Sequence, residues 1–254
     1  MPIVKIPHLD GAAAMAGNGD ELAIAAQYPP GVILYNVTTQ AESILSDPYG
    51  TPIDIAIDKS ANLFVLNYNN SNGNVTMYRA GSTKPVELGC QKIGLGEAIA
   101  ANNEGDVFVN GYPQSNIGVI EIPHGPHGPI GRECKLLSLQ PEEGYVAGVG
   151  VDPKTDDLIV MDDPDECAGS NEGRMIIYPK PYRSSTGHSV TLRGNCVGRL
   201  RLDATSTIVF TFDETVSGGT FYVTQHSYPQ GAAMGSYTGG DLSGMTTIPN
   251  ALPN

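Results

Sequence analysis

The sequence predicts an all-β fold assembled from a repeat. Three observations carry this. First, five times a short apolar run ends in a polar turn and is followed by a second apolar run: residues 22–25, 63–66, 107–109, 158–161 and 208–210. Second, the interval between these runs, about 40–50 residues, is the period of a four-stranded propeller blade. Third, 31 Gly and 19 Pro are spread along the 254 residues. No window keeps a helical apolar period for long, so long helices are excluded. An open sandwich of short strands explains the strand lengths and the Gly and Pro punctuation, but not five similar cassettes. The expectation is a β-propeller with five recognisable four-stranded blades, closing as a five- or six-bladed ring in one domain.

The second cassette is the clearest. Residues 52–58 (Pro-Ile-Asp-Ile-Ala-Ile-Asp) read as a first strand and 59–62 as a tight polar turn. Residues 63–68 form a second strand, and the Asn- and Gly-rich run 69–73 tolerates positive φ and reads as a loop. Residues 74–78 and 84–88 supply the third and fourth strands. First strands elsewhere precede turns at 17–20, 102–105, 152–156 and 203–206. Third strands fall at 32–35, 119–122, 175–178 and 221–223. Fourth strands, at 43–45, 134–137, 189–192 and 234–237, are less regular, as suits a partly solvated outer edge. The repeats run approximately over 10–49, 50–92, 93–142, 143–195 and 196–242, with terminal strands in 1–9 and 243–254.

The run Gly50-Thr51-Pro52, Ile55-Ala56-Ile57-Asp58, Asn62-Leu63-Phe64-Val65-Leu66-Asn67 and Asn74-Val75-Thr76-Met77-Tyr78 resembles an NHL-type repeat. The same style is similar to bacterial extracellular propellers related to gluconolactonase and SMP-30, and it covers most of the chain. No Arg follows Asn74, where many NHL repeats carry one. The resemblance specifies fold more than function, since such propellers serve as lactonases, binding platforms and assembly modules.

Charge narrows the partners. The formal net charge is −13, with only 14 Lys and Arg, and the isoelectric point is about 4.6. A nucleic-acid binder needs a basic face, so none is expected. No apolar run reaches the ~18 residues of a membrane-spanning helix. The first residues, Met1-Pro2-Ile3-Val4-Lys5-Ile6, have no signal-peptide character. The chain is therefore intracellular or lacks its leader, and the polar loops with the family resemblance favour secretion. Four cysteines, Cys90, Cys134, Cys167 and Cys196, form no Cys-X-X-Cys pair. Cys167 and Cys196 lie in loops that open on the same face, which makes their disulfide geometrically sensible. Cys90 and Cys134 would form the second pair, and bridged cysteines imply an oxidising compartment. Buried, inert thiols are the alternative.

Ligands of propellers sit at the mouth of the central channel. Asp10, Asp54, Glu97, Tyr145 and Arg199 lead into first strands, and Gln27, Asn67, Asn110, Asp162 and Asp213 end second strands. Carboxylates and amides converging there suit Ca²⁺, which takes six to eight oxygens. The lactonase relatives use a Glu, Asn and Asp set around one metal, and Glu97, Asn67, Asn110 and Asp162 match it by type and blade position. Such a metal polarises a lactone carbonyl and activates water. The acidic run 162–166 lacks the pattern of an EF-hand loop. His124 and His127 are three apart, but Pro and Gly around them forbid a helix and a turn is expected. No Gly-X-Ser-X-Gly elbow and no P-loop is present.

The expected function is that of a non-catalytic extracellular scaffold for binding or assembly, with a protein partner or with self-association through the terminal strands. The alternative is a Ca²⁺-dependent lactonase-like hydrolase.

Overall fold

The computed structural model describes residues 12–69, 72–113, 117–125, 128–129, 131–140, 144, 146–162, 172–182, 186–193, 197–203, 205–214 and 221–239. Blade 1 consists of β1 (Ala12–Asn18), β2 (Glu21–Gln27), β3 (Pro30–Asn36) and β4 (Glu42–Ser46). Blade 2 consists of β5 (Thr51–Ile57), β6 (Leu63–Asn69), β7 (Asn72–Tyr78) and β8 (Val86–Glu87). Blade 3 takes β9 (Leu95–Ala101), β10 (Val107–Tyr112) and β11 (Gly118–Ile122). A small ribbon of β12 (His124–Gly125) and β13 (Gly128–Pro129) then precedes its outer strand, β14 (Lys135–Leu136). Blade 4 runs β15 (Val146–Val151), β16 (Leu158–Asp162), β17 (Glu172–Tyr178) and β18 (His188–Arg193). Blade 5 runs β19 (Val197–Leu202), β20 (Ile208–Glu214), β21 (Phe221–Ser227) and β22 (Ala233–Gly239). Each blade is an antiparallel sheet in which sequential strands pair side by side, and the five sheets form a ring, a five-bladed β-propeller.

Three local devices repeat. The turn between first and second strands opens on an Asp or Asn whose side chain caps backbone N–H groups ahead of it. Asp58 Oδ1 accepts from Ser60 N and Asn62 N, both at 2.8 Å. Asn102 Oδ1 accepts from Glu104 N at 3.0 Å and Asp106 N at 2.8 Å. Asp203 Oδ1 accepts from Thr207 N and Ile208 N, both at 2.7 Å. This is the side-chain-to-backbone competition that makes Asx residues turn formers. The fourth turn residue reaches further: Asn62 Oδ1 accepts from Ala80 N, and Asp106 Oδ1 accepts from His124 N. The third device is a register slip near the start of the inner strand of every blade. Such bulges bend a strand and re-aim its side chains.

The core lies between blades rather than within one. Inner-strand residues alternate sides. Ile55 packs back on Ala14 and Ala16 of blade 1, Ile99 on Ala56 of blade 2, and Val149 on Ala98 and Ala100 of blade 3. Leu200 packs against Gly150, and on Ile159 and Met161, of blade 4. Small residues on one sheet thus receive branched residues from the next, the large-into-small fit of close-packed interiors. Phe108 adds an edge-to-face contact with Tyr182, centroids 5.1 Å apart and planes at 81°.

The structure departs from expectation at two places. The outer strands β8 and β14 have two residues each. Pro85 precedes Val86 and supplies no N–H to a ladder. The 123–129 segment, expected as a turn, also carries the short β12–β13 ribbon, whose connection at 126–127 lies outside the described residues. Of the two cysteine pairs, Cys90 and Cys134 form a disulfide with Cα atoms 5.9 Å apart. Cys167 and Cys196 lie outside the described residues, as do the terminal strands expected in 1–9 and 243–254. Beside the disulfide, Gly131 packs so tightly that an added Cβ would meet Leu88 O at 1.7 Å.

The bridge closes a loop of sequence separation 44 at the joint of blades 2 and 3. Chain-entropy reasoning assigns such a loop about 4 kcal/mol. Replacing both cysteines by serine is expected to lower unfolding free energy by about 2–4 kcal/mol, read from denaturant midpoints with the denaturant slope monitored.

Candidate functional site

The central channel carries the charged groups that need explaining. Four inner strands place a small residue at one register position: Ala16 opposite Ala23, Ala56 opposite Phe64, Ala100 opposite Phe108 and Gly150 opposite Ile159. Blade 5 puts Arg201 there, opposite Phe210. Arg201 reaches across the axis. Its Nη2 donates to Asp54 Oδ1 at 2.8 Å and its Nη1 to Leu200 O at 2.9 Å. Blades 2 and 5 are not neighbours in the ring, so this ion pair spans the channel. Asp54 is fully buried and also accepts from Ile55 N at 2.9 Å and Ile99 N at 2.8 Å. A buried carboxylate is tolerable only when paired and hydrogen-bonded, and Asp54 is both.

Next to this pair, a cavity of about 260 Å³ opens towards the first-to-second-strand turns. Ala16, Ala56, Ala100, Gly150 and Arg201 line it, with Lys59, Asn103 and Asp156 also on the wall. The turns are laced together across blades. Asn103 Nδ2 donates to Asp156 Oδ1 at 2.7 Å, and Lys180 pairs with Glu104 at 2.7 Å. Ser206 Oγ donates to Asp152 Oδ1 at 2.5 Å, and Lys154 Nζ donates to Thr205 O.

The residues expected to share one Ca²⁺ have four separate sets of partners. Glu97 is the bulged residue of β9, and Arg199 is its counter-charge. Burial pushes the Glu97 carboxyl above its ordinary value, against the opposing pull of the Arg199 guanidinium. Arg199 also donates to Ala13 O on β1, which ties blade 5 to blade 1. Asn110 turns towards blade 4, its Nδ2 donating to Gly148 O at 3.3 Å. Asn67 turns towards the connection from blade 1, with Nδ2 3.1 Å from Asp47 Oδ2. Asp162 is fully buried, pairs with Arg174 Nε and accepts from Gly144 N at 2.7 Å. The amides face different blade joints, and each carboxylate has an arginine charge beside it. No group of three or more His, Cys, Asp or Glu that could hold a metal occurs among the described residues. Asp10 and Tyr145 lie outside the described residues, and Asp213 lies on β20 opposite Val197.

Arg201 escaped the sequence reading. Its signal was an arginine at a repeat position that holds Ala or Gly in the other four cassettes. Asp54 was noted only as a polar residue near a strand start; nothing local told of its partner 147 residues away.

Against known proteins, the likeness is one of fold. No protein-family model matches the chain, and no curated relative matches it. Among solved structures, it is similar to a chain of the nidogen/laminin complex, with a TM-score of 0.71 at 13% identity, covering 92% of this chain and 84% of that one. It is similar to TolB from Acinetobacter baumannii, with a TM-score of 0.64 at 11% identity, over 90% of this chain and 57% of TolB. The Malassezia sympodialis allergen Mala s 1 aligns with a TM-score of 0.58 at 10% identity, over 90% and 78% of the two chains.

Two outcomes follow for the channel. Arg201→Met strands the Asp54 charge and is expected to destabilise the protein by about 3–5 kcal/mol. The double change with Asp54→Asn should recover part of that loss, as a double-mutant cycle in denaturant shows. Glu97 titrates above its ordinary 4.5 in the fold, so the folded state holds that proton more tightly than the unfolded chain. Its contribution is full below pH 4.5 and is lost as pH rises through the elevated value. The stability of Glu97→Gln relative to the unmodified protein should therefore increase from acid to neutral pH in paired melts.

Proposed function

We propose that this propeller is a non-catalytic, extracellular scaffold that binds protein through the outer rims of its blades, a second copy of itself included. One observation carries the reading. The outermost strands expose Ile44 at 62%, Val86 at 49%, Leu136 at 45% and Met234 at 58%. Each is a large apolar side chain on a strand paired on one side only. An open edge with an apolar residue is a template for strand addition where it is long enough, as on β4 and β22, while β8 and β14 offer their apolar side chains alone. Rigidity supports the same role: cross-blade bonds lace the turns, and an ion pair spans the channel. The Cys90–Cys134 disulfide suits an extracellular or periplasmic setting. No helix among the described residues is long and apolar enough to cross a membrane. The likeness to a chain of the nidogen/laminin complex agrees with protein binding.

Light scattering after size exclusion tests this. The expected result is a molar mass above 26.7 kDa that grows with concentration. Lysine at positions 44, 86, 136 and 234 should return it to a monomer, with each change shifting stability by no more than about 0.5 kcal/mol. A constant monomer would remove self-association. Turnover of small lactones that Glu97→Gln abolishes would favour the hydrolase instead.

A further inference from the structure

Blade 2 contains a polar pocket that belongs neither to the channel nor to the rims. Asp47, on the connection from β4 to β5, is buried, as are Asn67 on β6 and Thr76 on β7. Asp47 Oδ1 accepts from Tyr49 N at 3.0 Å. Its Oδ2 accepts from Thr76 Oγ1 at 2.5 Å and from Asn67 Nδ2 at 3.1 Å. The same Nδ2 lies 3.2 Å from Thr76 Oγ1 and 3.3 Å from Asn74 Oδ1.

The pocket has more acceptors than donors. An amide nitrogen has two hydrogens, yet three oxygens surround that of Asn67. The threonine hydrogen is committed to Asp47. Meanwhile Asn67 Oδ1 is buried with no hydrogen-bond partner, although buried polar atoms are normally satisfied. Among the described residues, no Lys, Arg or His forms an ion pair with Asp47. Its charge is felt by Tyr78, whose hydroxyl donates to Ser46 O at 2.9 Å and is held well above its ordinary value, by burial first and by Asp47 second.

A buried, unpaired negative charge among surplus oxygens is an environment that a hard cation stabilises. Amide oxygen and nitrogen are interchangeable in shape. Half a turn of the Asn67 amide puts Oδ1 where Nδ2 now stands, 3.1–3.3 Å from the other three oxygens. Oxygens about that far apart are neighbours in the shell of an ion bound at roughly 2.3–2.6 Å. We propose that Asp47, Asn67, Asn74 and Thr76 form a binding site for a hard, oxygen-coordinated cation such as Ca²⁺. The ion would tie the joint between blades 1 and 2 to the body of blade 2. With one carboxylate, its affinity falls in the range of about 10⁻⁴–10⁻³ M seen for extracellular modules. Glu97 and the channel take no part.

The test uses the full chain, stripped with chelator, and two probes: Ca²⁺ followed by calorimetry and thermal melting, and Tb³⁺ followed by luminescence sensitised from tyrosine, Tyr49 and Tyr78 being nearby. One saturable site is expected, with melting raised by Ca²⁺. Asp47→Asn should weaken binding at least tenfold, Thr76→Val similarly, and Glu97→Gln not at all. If Asp47→Asn does not fold, Thr76→Val carries the same comparison, and Thr76→Ser should restore binding. Absence of saturable binding to the unmodified chain, or binding that survives both Asp47→Asn and Thr76→Val, would overturn the proposal and leave a buried water as the donor to Asn67.

Discussion

Removing a carboxylate from water costs several kcal/mol unless its oxygens are met inside, and the ring depends on how Asp54 meets that demand. Its hydrogen-bond donors come from three blades. Ile55 N holds it to its own strand, Ile99 N to the following blade, and Arg201 to the last one. Side chains that pack two neighbouring blades constrain one joint each. Asp54 instead constrains positions that lie apart around the axis, so displacement of any one of three strands breaks a bond at a buried charge. That penalty makes the channel a rigid element. The same pair occupies the axis near a cavity of only about 260 Å³.

The four joints from blade 1 to blade 5 follow one rule and the closing joint another. From blade 1 through blade 5, a small residue faces a branched one. On the side of blade 5 that meets blade 1, the small residue is replaced by Arg201, and Arg199 bonds to Ala13 O. The apolar cluster of Leu22, Ile24 and Tyr35 on blade 1 draws no member from blade 5 among the described residues. Among the described residues, the polar contact from Arg199 to Ala13 O crosses that joint.

Much of this architecture was legible because its determinants are local. An Asx residue caps its own turn, as at Asp58 and Asp203, and short apolar runs bounded by polar turns mark strands such as β6 whichever partner they find. The ribbon at His124 had less of a local trace: His124 N is held by Asp106, 18 residues earlier. The channel was less legible still. Asn67, Asn110 and Asp162 share a polar place near the end of a second strand, but a shift of one position in a strand sends a side chain to the other sheet face. Asn110 pairs with Ala98 and Asn67 with Pro52, on opposite sides of their register slips. They therefore turn to different blade joints. Partnership between Asp54 and Arg201 belongs to the closed ring and has no local trace.

A ring with four apolar joints in chain order, and arginine contacts from blade 5 to Ala13 O and Asp54, is energetically a curved stack with two ends. Each apolar joint can form between sequence neighbours, as in a solenoid, whereas the last must bring together strands separated by most of the chain. Ionic strength screens exposed charges most, so salt acts on turn contacts such as Lys180–Glu104 between blades 3 and 4 and leaves the apolar joints. The chain order of the blades thereby gives a nearly symmetric ring a direction, with first and last blades joined by contacts that no sequence neighbour makes.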